Sequence, residues 1–258
     1  ERDADHADAC RDFCERFANN ECDRSGRSYA PDKAFERVMC EAATMNLDLL
    51  ALTGDIVHYP SLAAIEHLTA IVNDLGVPAM YTCGNHDVHF TDEPVNHERR
   101  QAWLSRFKSL HGERSDYEVR EIANMRFVAV DSFDCQISAQ QLAFFEQQLA
   151  ADVPVVVLTH IPVSLPTLRA RTIQEMDAPV LMGDPDWSVA SRDEWQITED
   201  TPETLEFVRL ITQTPNVVAC FCGHIHFAHH DAMGPRAVQY VGKPGFRGGR
   251  RLVEFKPL

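Results

Sequence analysis

The sequence predicts an α/β fold. Three observations carry that prediction. Apolar runs of strand length alternate with amphipathic segments of helix length, one run (153–159, VPVVVLT) is apolar throughout, and short glycine-bearing polar motifs close several of the runs. Uninterrupted apolar strands need cover on both faces, and helices between successive strands supply it.

Taken in order, the first 30 residues read as a loop and helix lead-in. Residues 47–53 (LDLLALT) form a buried strand and 62–75 the helix after it. The next strand is 77–83, ending at the turn Gly84-Asn85, and 97–110 is helical. Residues 117–119 and 125–131 make a hairpin with 122–124 in its turn. The clearest helix is 138–150 (SAQQLAFFEQQLA), with Ser138 as N-cap and Gln141 at the capping-box position. The strand at 153–159 tolerates Pro154 near its start. A helix at 204–214 and strands at 217–222, 237–241 and 251–255 complete the pattern. The stretch 161–202 breaks the rhythm with Pro162, Pro166, Pro179, Pro185, Trp187 and Trp195. Its aromatic content favours an ordered substrate flap within one domain spanning 1–258.

A chain of 258 residues accommodates one large α/β domain. Its formal charge of −15 repels polyanions, which excludes a long nucleic-acid groove lined with Lys and Arg. No apolar run approaches the roughly 20 residues of a membrane span, so no transmembrane segment is expected. Cys83, Cys135, Cys220 and Cys222 lie in or beside apolar runs and read as small core residues. A bridge between Cys220 and Cys222 within one strand would be strained and is not expected. Cys10, Cys14, Cys22 and Cys40 fit a disulfide or, with less support from their spacing, a zinc site. No Asn-x-Ser/Thr sequon occurs, which favours a cytoplasmic protein. Oligomeric state is not legible.

The chemistry sits in four motifs at strand ends: Gly54-Asp55, Gly84-Asn85-His86-Asp87, Thr159-His160 and Gly223-His224-Ile225-His226. In open α/β sheets ligands bind outside the C-terminal ends of the strands, so these side chains can converge on one rim. Imidazole nitrogens with carboxylate and amide oxygens suit first-row ions such as Mn, Fe, Co, Ni or Zn. A carboxylate can bridge two ions, which makes Asp55 the natural shared ligand. The glycines before Asp55, Asn85 and His224 permit sharp turns off the strands. Asp87 can hold the His86 ring and raise its pKa, letting His86 protonate a leaving alkoxide.

These four motifs, in this order, resemble those of the calcineurin-like metallophosphoesterase family. The resemblance runs from about Asp48 to the C-terminus, roughly four fifths of the chain. The segment SDYEVREIANMRFVAVDS and the helix after it are similar, less specifically, to the cyclic-nucleotide-phosphodiesterase-like branch. The resemblance implies a four-layer α/β/β/α sandwich of two mixed sheets flanked by helices. It implies a dinuclear site with two divalent cations, Asp55 bridging them, Asn85, His160 and His224 on one ion and His226 on the other. His86 and Asp87 are then the catalytic pair, serving transition-state stabilisation and leaving-group protonation. The implied activity is hydrolysis of a small phosphomonoester or phosphodiester by a metal-activated water. Bound cations reconcile an anionic substrate with the acidic surface.

One departure stands out. The family opens with a strand ending in Asp-x-His, and Asp3, Asp5 and His6 lack both that spacing and a preceding apolar run. The expectation is that the first family strand lies upstream of residue 1. The alternatives are a single-metal site or a non-catalytic relative that binds a phosphoryl ligand or a protein partner.

Outside the motifs the plainer readings lead. His58 and His89 read as turn residues rather than site residues, and His229 and His230 as solvated loop positions. Arg169 and Arg171 read as exposed charges rather than a phosphate clamp, while Trp187 and Trp195 fit either packing or stacking on a leaving group. Asp131-Ser132 either braces the site or simply ends its strand. Gly245 to Gly249 (GFRGG) reads as a hairpin turn, since no helix follows it.

Overall fold

The computed structural model describes residues 3–18, 20–21, 26–91, 93, 97–112 and 116–256. The elements, in chain order, are α1 (Ala7–Arg16), β1 (Asn20–Glu21), β2 (Ser28–Tyr29), α2 (Pro31–Ala42), β3 (Leu50–Thr53), α3 (Leu62–Asp74), β4 (Ala79–Thr82), α4 (His97–Leu104) and α5 (Lys108–His111). There follow β5 (Tyr117–Ile122), β6 (Met125–Val130), α6 (Ala139–Leu149), β7 (Val155–Leu158), α7 (Pro166–Met176), α8 (Val189–Trp195), α9 (Pro202–Gln213), β8 (Val217–Cys222), β9 (His229–Ala232) and β10 (Val238–Val241).

Local chemistry sets many of these boundaries. Ser138 caps α6 by accepting from Gln141 N while Gln141 returns the bond, so the predicted capping box is formed. Ser61 and Thr201 cap α3 and α9 more simply, accepting from Ala64 N and Thr204 N. The β5–β6 hairpin turns through Ala123 and Asn124, both at positive φ (49° and 62°), as a two-residue primed turn requires. The helix expected at 97–110 is interrupted by a 3-10 turn at Ser105–Phe107. Its buried residues Leu104, Phe107 and Leu110 are spaced by three, the 3-10 period.

The larger sheet runs β5-β6-β7-β8-β10-β9, parallel from β6 to β10 with antiparallel edges. The second sheet is the parallel pair β3-β4, so among the described residues it is not mixed. The two sheets meet face to face where Met80 packs among Ala129, Val156, Leu158 and Ala219. On the far side of the larger sheet Phe145 of α6 and Phe207 and Ile211 of α9 cover Val128, Val155, Val157 and Cys220. On the far side of the smaller one Ile65, Leu68 and Val72 of α3 cover Leu52 and Tyr81. Four layers result, helix, sheet, sheet, helix, and β7 is buried at every position, as its uninterrupted apolar run predicts. Each such side chain contributes about 1.5–3 kcal/mol by leaving water.

Several expectations are corrected. Residues 251–256 form no strand, and Leu252, Val253 and Phe255 are exposed; their pattern suits a strand, but a strand also needs a neighbour to pair with. Gly245–Arg247 is a 3-10 turn rather than a hairpin. The stretch 161–202 is not irregular: it carries α7 and α8, and Ile161, Val163, Leu168, Val180, Leu181 and Met182 are fully buried. Pro166 opens α7 at its first turn, where proline is tolerated, so the prolines punctuate helices rather than prevent them. Cys14 and Cys40 are thiols, and Cys22 lies outside the described residues. Cys220 and Cys222 are also thiols, with their sulfurs 3.5 Å apart. No helix among the described residues is long and apolar enough to cross a membrane.

Candidate metal centre

All four motifs stand where the expectation put them, directly beyond the C-terminal ends of β3, β4, β7 and β8. The turns are sharp enough to need unusual backbone. Gly54 has φ 82°, and the non-glycine residues Asp55, His224 and His226 also have positive φ, at 51°, 71° and 53°. Such conformations cost on the order of 1–3 kcal/mol each and persist only where surrounding structure imposes them.

The turns bring Asp55, Asn85, His160 and His224 together. His160 Nε2 lies 3.2 Å from Asp55 Oδ2. The same nitrogen lies 3.1 Å from Asn85 Oδ1, and His224 Nδ1 lies 3.1 Å from that oxygen. The other His160 nitrogen, Nδ1, donates to the Thr53 carbonyl at 2.8 Å, which turns the lone pair of Nε2 toward the cluster. Ser132 steadies the same loop: its hydroxyl bonds Thr159 Oγ1 at 2.6 Å and accepts from Ile161 N at 3.1 Å, so the residues on both sides of His160 are held. Ser132 thus braces the site, while the Asp131 carboxylate accepts from Phe133 N in its own turn.

Electrostatics follow from crowding. Burial alone would raise the Asp55 carboxyl, but His160, and after it His86 and His224, outweigh burial and hold it well below the usual carboxylate range. Burial works to lower His160, and the Asp55 charge outweighs it, leaving His160 raised. Burial and the neighbouring His160 push His224 down to about 3. Burial, then His86, does the same to His58, also to about 3.

These side chains fit a divalent cation. Ligands of a tetrahedral ion with bonds of about 2.0–2.1 Å lie about 3.3 Å apart, close to the spacings just given. Asp55, His160 and His224 each offer a ligand atom within 4.8 Å of the others. His224 Nε2 is buried without a hydrogen-bond partner among the described residues. A second trio, Asp32, Glu36 and His67, is solvent-facing, and Lys33 Nζ already sits 2.6 Å from Glu36 Oε1.

His226 stands at the exposed rim, its ring 5.5 Å from that of Phe246. His86 joins the centre through its backbone, whose N–H donates to Asp55 Oδ1 at 2.9 Å. The expected bracing of His86 by Asp87 is corrected. Asp87 is fully buried beneath the centre and accepts from four donors: the backbone N–H groups of Asp55 (2.9 Å), Val57 (3.1 Å) and Gly84 (2.8 Å), and the Tyr81 hydroxyl (2.8 Å). His86 Nδ1 has no partner among the described residues. Burial and the Asp55 charge push the Asp87 carboxyl up, and its donors push it back. Its place is structural, tying the turn after β3 to the turn after β4.

Neighbouring residues divide. His58 is not a bystander: its ring stacks on His86 at 4.4 Å. His89 Nδ1 donates to the Asn85 carbonyl at 2.8 Å. Trp195 reaches the site edge on to His224, with ring centres 5.8 Å apart, while Trp187 packs and donates to Leu181 O. Arg169 pairs with Asp184 and Asp186, and Arg171 bonds Ala228 O, so neither clamps a phosphate. Asp3 bonds Arg106 and Leu62 N, and His6 stacks on Phe90, so neither joins the centre.

A histidine–carboxylate–amide cluster on the C-terminal rim of an α/β sandwich has the donor set of a divalent-cation centre. Comparison with known proteins narrows the class. The family model for calcineurin-like phosphoesterases matches residues 6–228. Over 223 residues the chain is 28% identical to a probable cyclic nucleotide phosphodiesterase of Synechococcus, covering 81% of this chain and 72% of that one. A probable cyclic nucleotide phosphodiesterase of Psychrobacter arcticus is 36% identical over 62 residues, 23% of this chain and 22% of that one. Among solved structures, a dimetal phosphatase from Danio rerio superposes with a TM-score of 0.59 at 15% identity, covering 89% of this chain and 83% of that one. That likeness speaks for the fold. The chain belongs to the calcineurin-like phosphoesterase family, and it is a metallophosphoesterase, a hydrolase of phosphate esters.

Proposed function

We propose that the protein hydrolyses a small phosphodiester or phosphomonoester at a site holding two divalent cations, with Asp55 shared between them. Asn85, His160 and His224 complete one cation's ligands and His226 belongs to the other. The observation that carries this reading is the close set of Asp55, Asn85, His160 and His224, with the His160 ring fixed by the Thr53 carbonyl. Bound cations would polarise the phosphoryl group and lower the pKa of an attacking water. The chain's own part is to hold and orient. Thr53, Ser132 and Asp87 fix the loops, Asp55 keeps its charge at neutral pH, and His86 donates a proton to the departing oxygen. The name of the Synechococcus relative makes a diester the first substrate to try.

The test is turnover of bis-p-nitrophenyl phosphate and p-nitrophenyl phosphate with manganese, after chelation, and in His86→Ala. Chelator-sensitive hydrolysis that falls in the variant supports the reading, and the better ester separates diesterase from monoesterase. No turnover in a protein that binds manganese would overturn it.

A single-cation site is the second reading, favoured because among the described residues one buried trio, Asp55, His160 and His224, offers ligand atoms close enough for one ion while His226 stands at the exposed rim. Metal analysis of the purified protein distinguishes one equivalent from two.

A further inference from the structure

His86 begins a short 3-10 turn, and its backbone is pinned by the bond to Asp55 Oδ1. Its ring is not pinned in that way. Nδ1 is buried with no partner among the described residues, and Asp87 spends its carboxylate on four other donors. What flanks the ring is other rings. His58 lies 4.4 Å away at an interplanar angle of 28°, and His89 lies 5.7 Å away at the same angle. The opposite face of His58 is closed by Phe13 of α1, at 3.5 Å and 8°. The backbone beside His58 is anchored too, since Val57 N donates to Asp87 Oδ1. A three-ring stack therefore runs from α1 through the turn after β3 to the turn after β4.

We infer that His58 is a positioning residue for the reaction: it fixes the His86 ring by stacking, and Phe13 backs it from α1. The inference rests on the proposed role of His86 as the proton donor. A side chain with no hydrogen bond to its ring must be oriented by packing, and a donor that swings between rotamers is aligned for only part of the time. The stack supplies the missing constraint through the shape of an aromatic face, not through a nitrogen of His58.

That distinction makes the inference testable. Steady-state kinetics with bis-p-nitrophenyl phosphate and manganese would compare wild type with His58→Ala, His58→Phe, Phe13→Ala and His86→Ala. His58→Ala is expected to lower kcat about tenfold, the scale of losing one ring stack, with KM and bound manganese unchanged. His58→Phe keeps the face without the nitrogens and is expected to recover kcat to within about threefold of wild type. Phe13→Ala is expected to fall between them. In the metal-free protein, NMR of the His86 ring protons should show a ring-current shift that His58→Ala removes and His58→Phe retains. If His58→Phe is as slow as His58→Ala while retaining that shift, a nitrogen of His58 is what matters and the inference is wrong. If His86→Ala is slow but His58→Ala runs at the wild-type rate, the inference fails alone. If His86→Ala runs at the wild-type rate, the proposed role of His86 has failed instead.

Discussion

Gly84 carries no side chain because Asp55 fills the space where one would go. A Cβ there would stand 2.2 Å from both the backbone nitrogen and Oδ1 of Asp55, and one on Gly54 would stand 2.4 Å from His160 Nδ1. Gly84→Ala must displace Asp55, so metal affinity and kcat/KM should fall on the order of 100-fold, with secondary structure by circular dichroism unchanged. An alanine variant with wild-type turnover would show that the approach is not required. At Asp87 the expected loss is of stability. Asn offers one acceptor where the carboxylate takes four bonds, and its amide opposes the N–H groups it meets. Asp87→Asn should cost about 3 kcal/mol in denaturant unfolding. The convergence of Asp55, Asn85, His160 and His224 on one rim was legible because glycine followed by a polar side chain after an apolar strand is a local signal. For Asp87 the sequence points to the wrong neighbour, because adjacency in a 3-10 turn says nothing about where the next side chain points. His58 stayed hidden for another reason: its partner Phe13 is far away in sequence and no local pattern records the contact.

At the scale of elements, capping and period determine what was readable. The α6 boundaries follow from Ser138 and Gln141, and Ser138→Ala should lower stability by about 1 kcal/mol, seen as a shift in the urea midpoint with an unchanged slope. A changed slope would point to a wider disruption than a lost cap. In the 161–202 stretch two helices of 11 and 7 residues are not legible, because its proline content masks them and because its apolar residues find their cover only in the tertiary structure. Residues 251–256 erred in the other direction, an extended pattern left without a ladder. Both errors concern contacts made at long range, which periodicity does not carry.

For the whole molecule, the histidines around the centre set the response to acid. Burial lowers His58 and His224, to about 3, and lowers His89 and His226 as well, while Asp55 overcomes burial to raise His160. A histidine whose folded pKa lies below its unfolded value of about 6.5 contributes stability that is present above that pH and lost as pH falls. A raised histidine does the opposite. With four histidines lowered against a raised His160 and a raised Asp87, the melting temperature of cation-free protein should drop as pH falls from about 6.5 toward 4. Scanning calorimetry in chelator checks this, and a flat profile would contradict it. Adding manganese at pH 7.5 should raise the melting temperature in a concentration-dependent way, since a ligand of the native state stabilises it by mass action.

Asp55 and Asn85 hang from the smaller sheet, and His160 and His224 from the larger. An ion gripped by all four therefore spans the seam of the sandwich like a rivet through two plates. Filling the centre and locking the plates against sliding become a single mechanical event. Amides of β3 and β4 should exchange with deuterium more slowly once the rivet is in place.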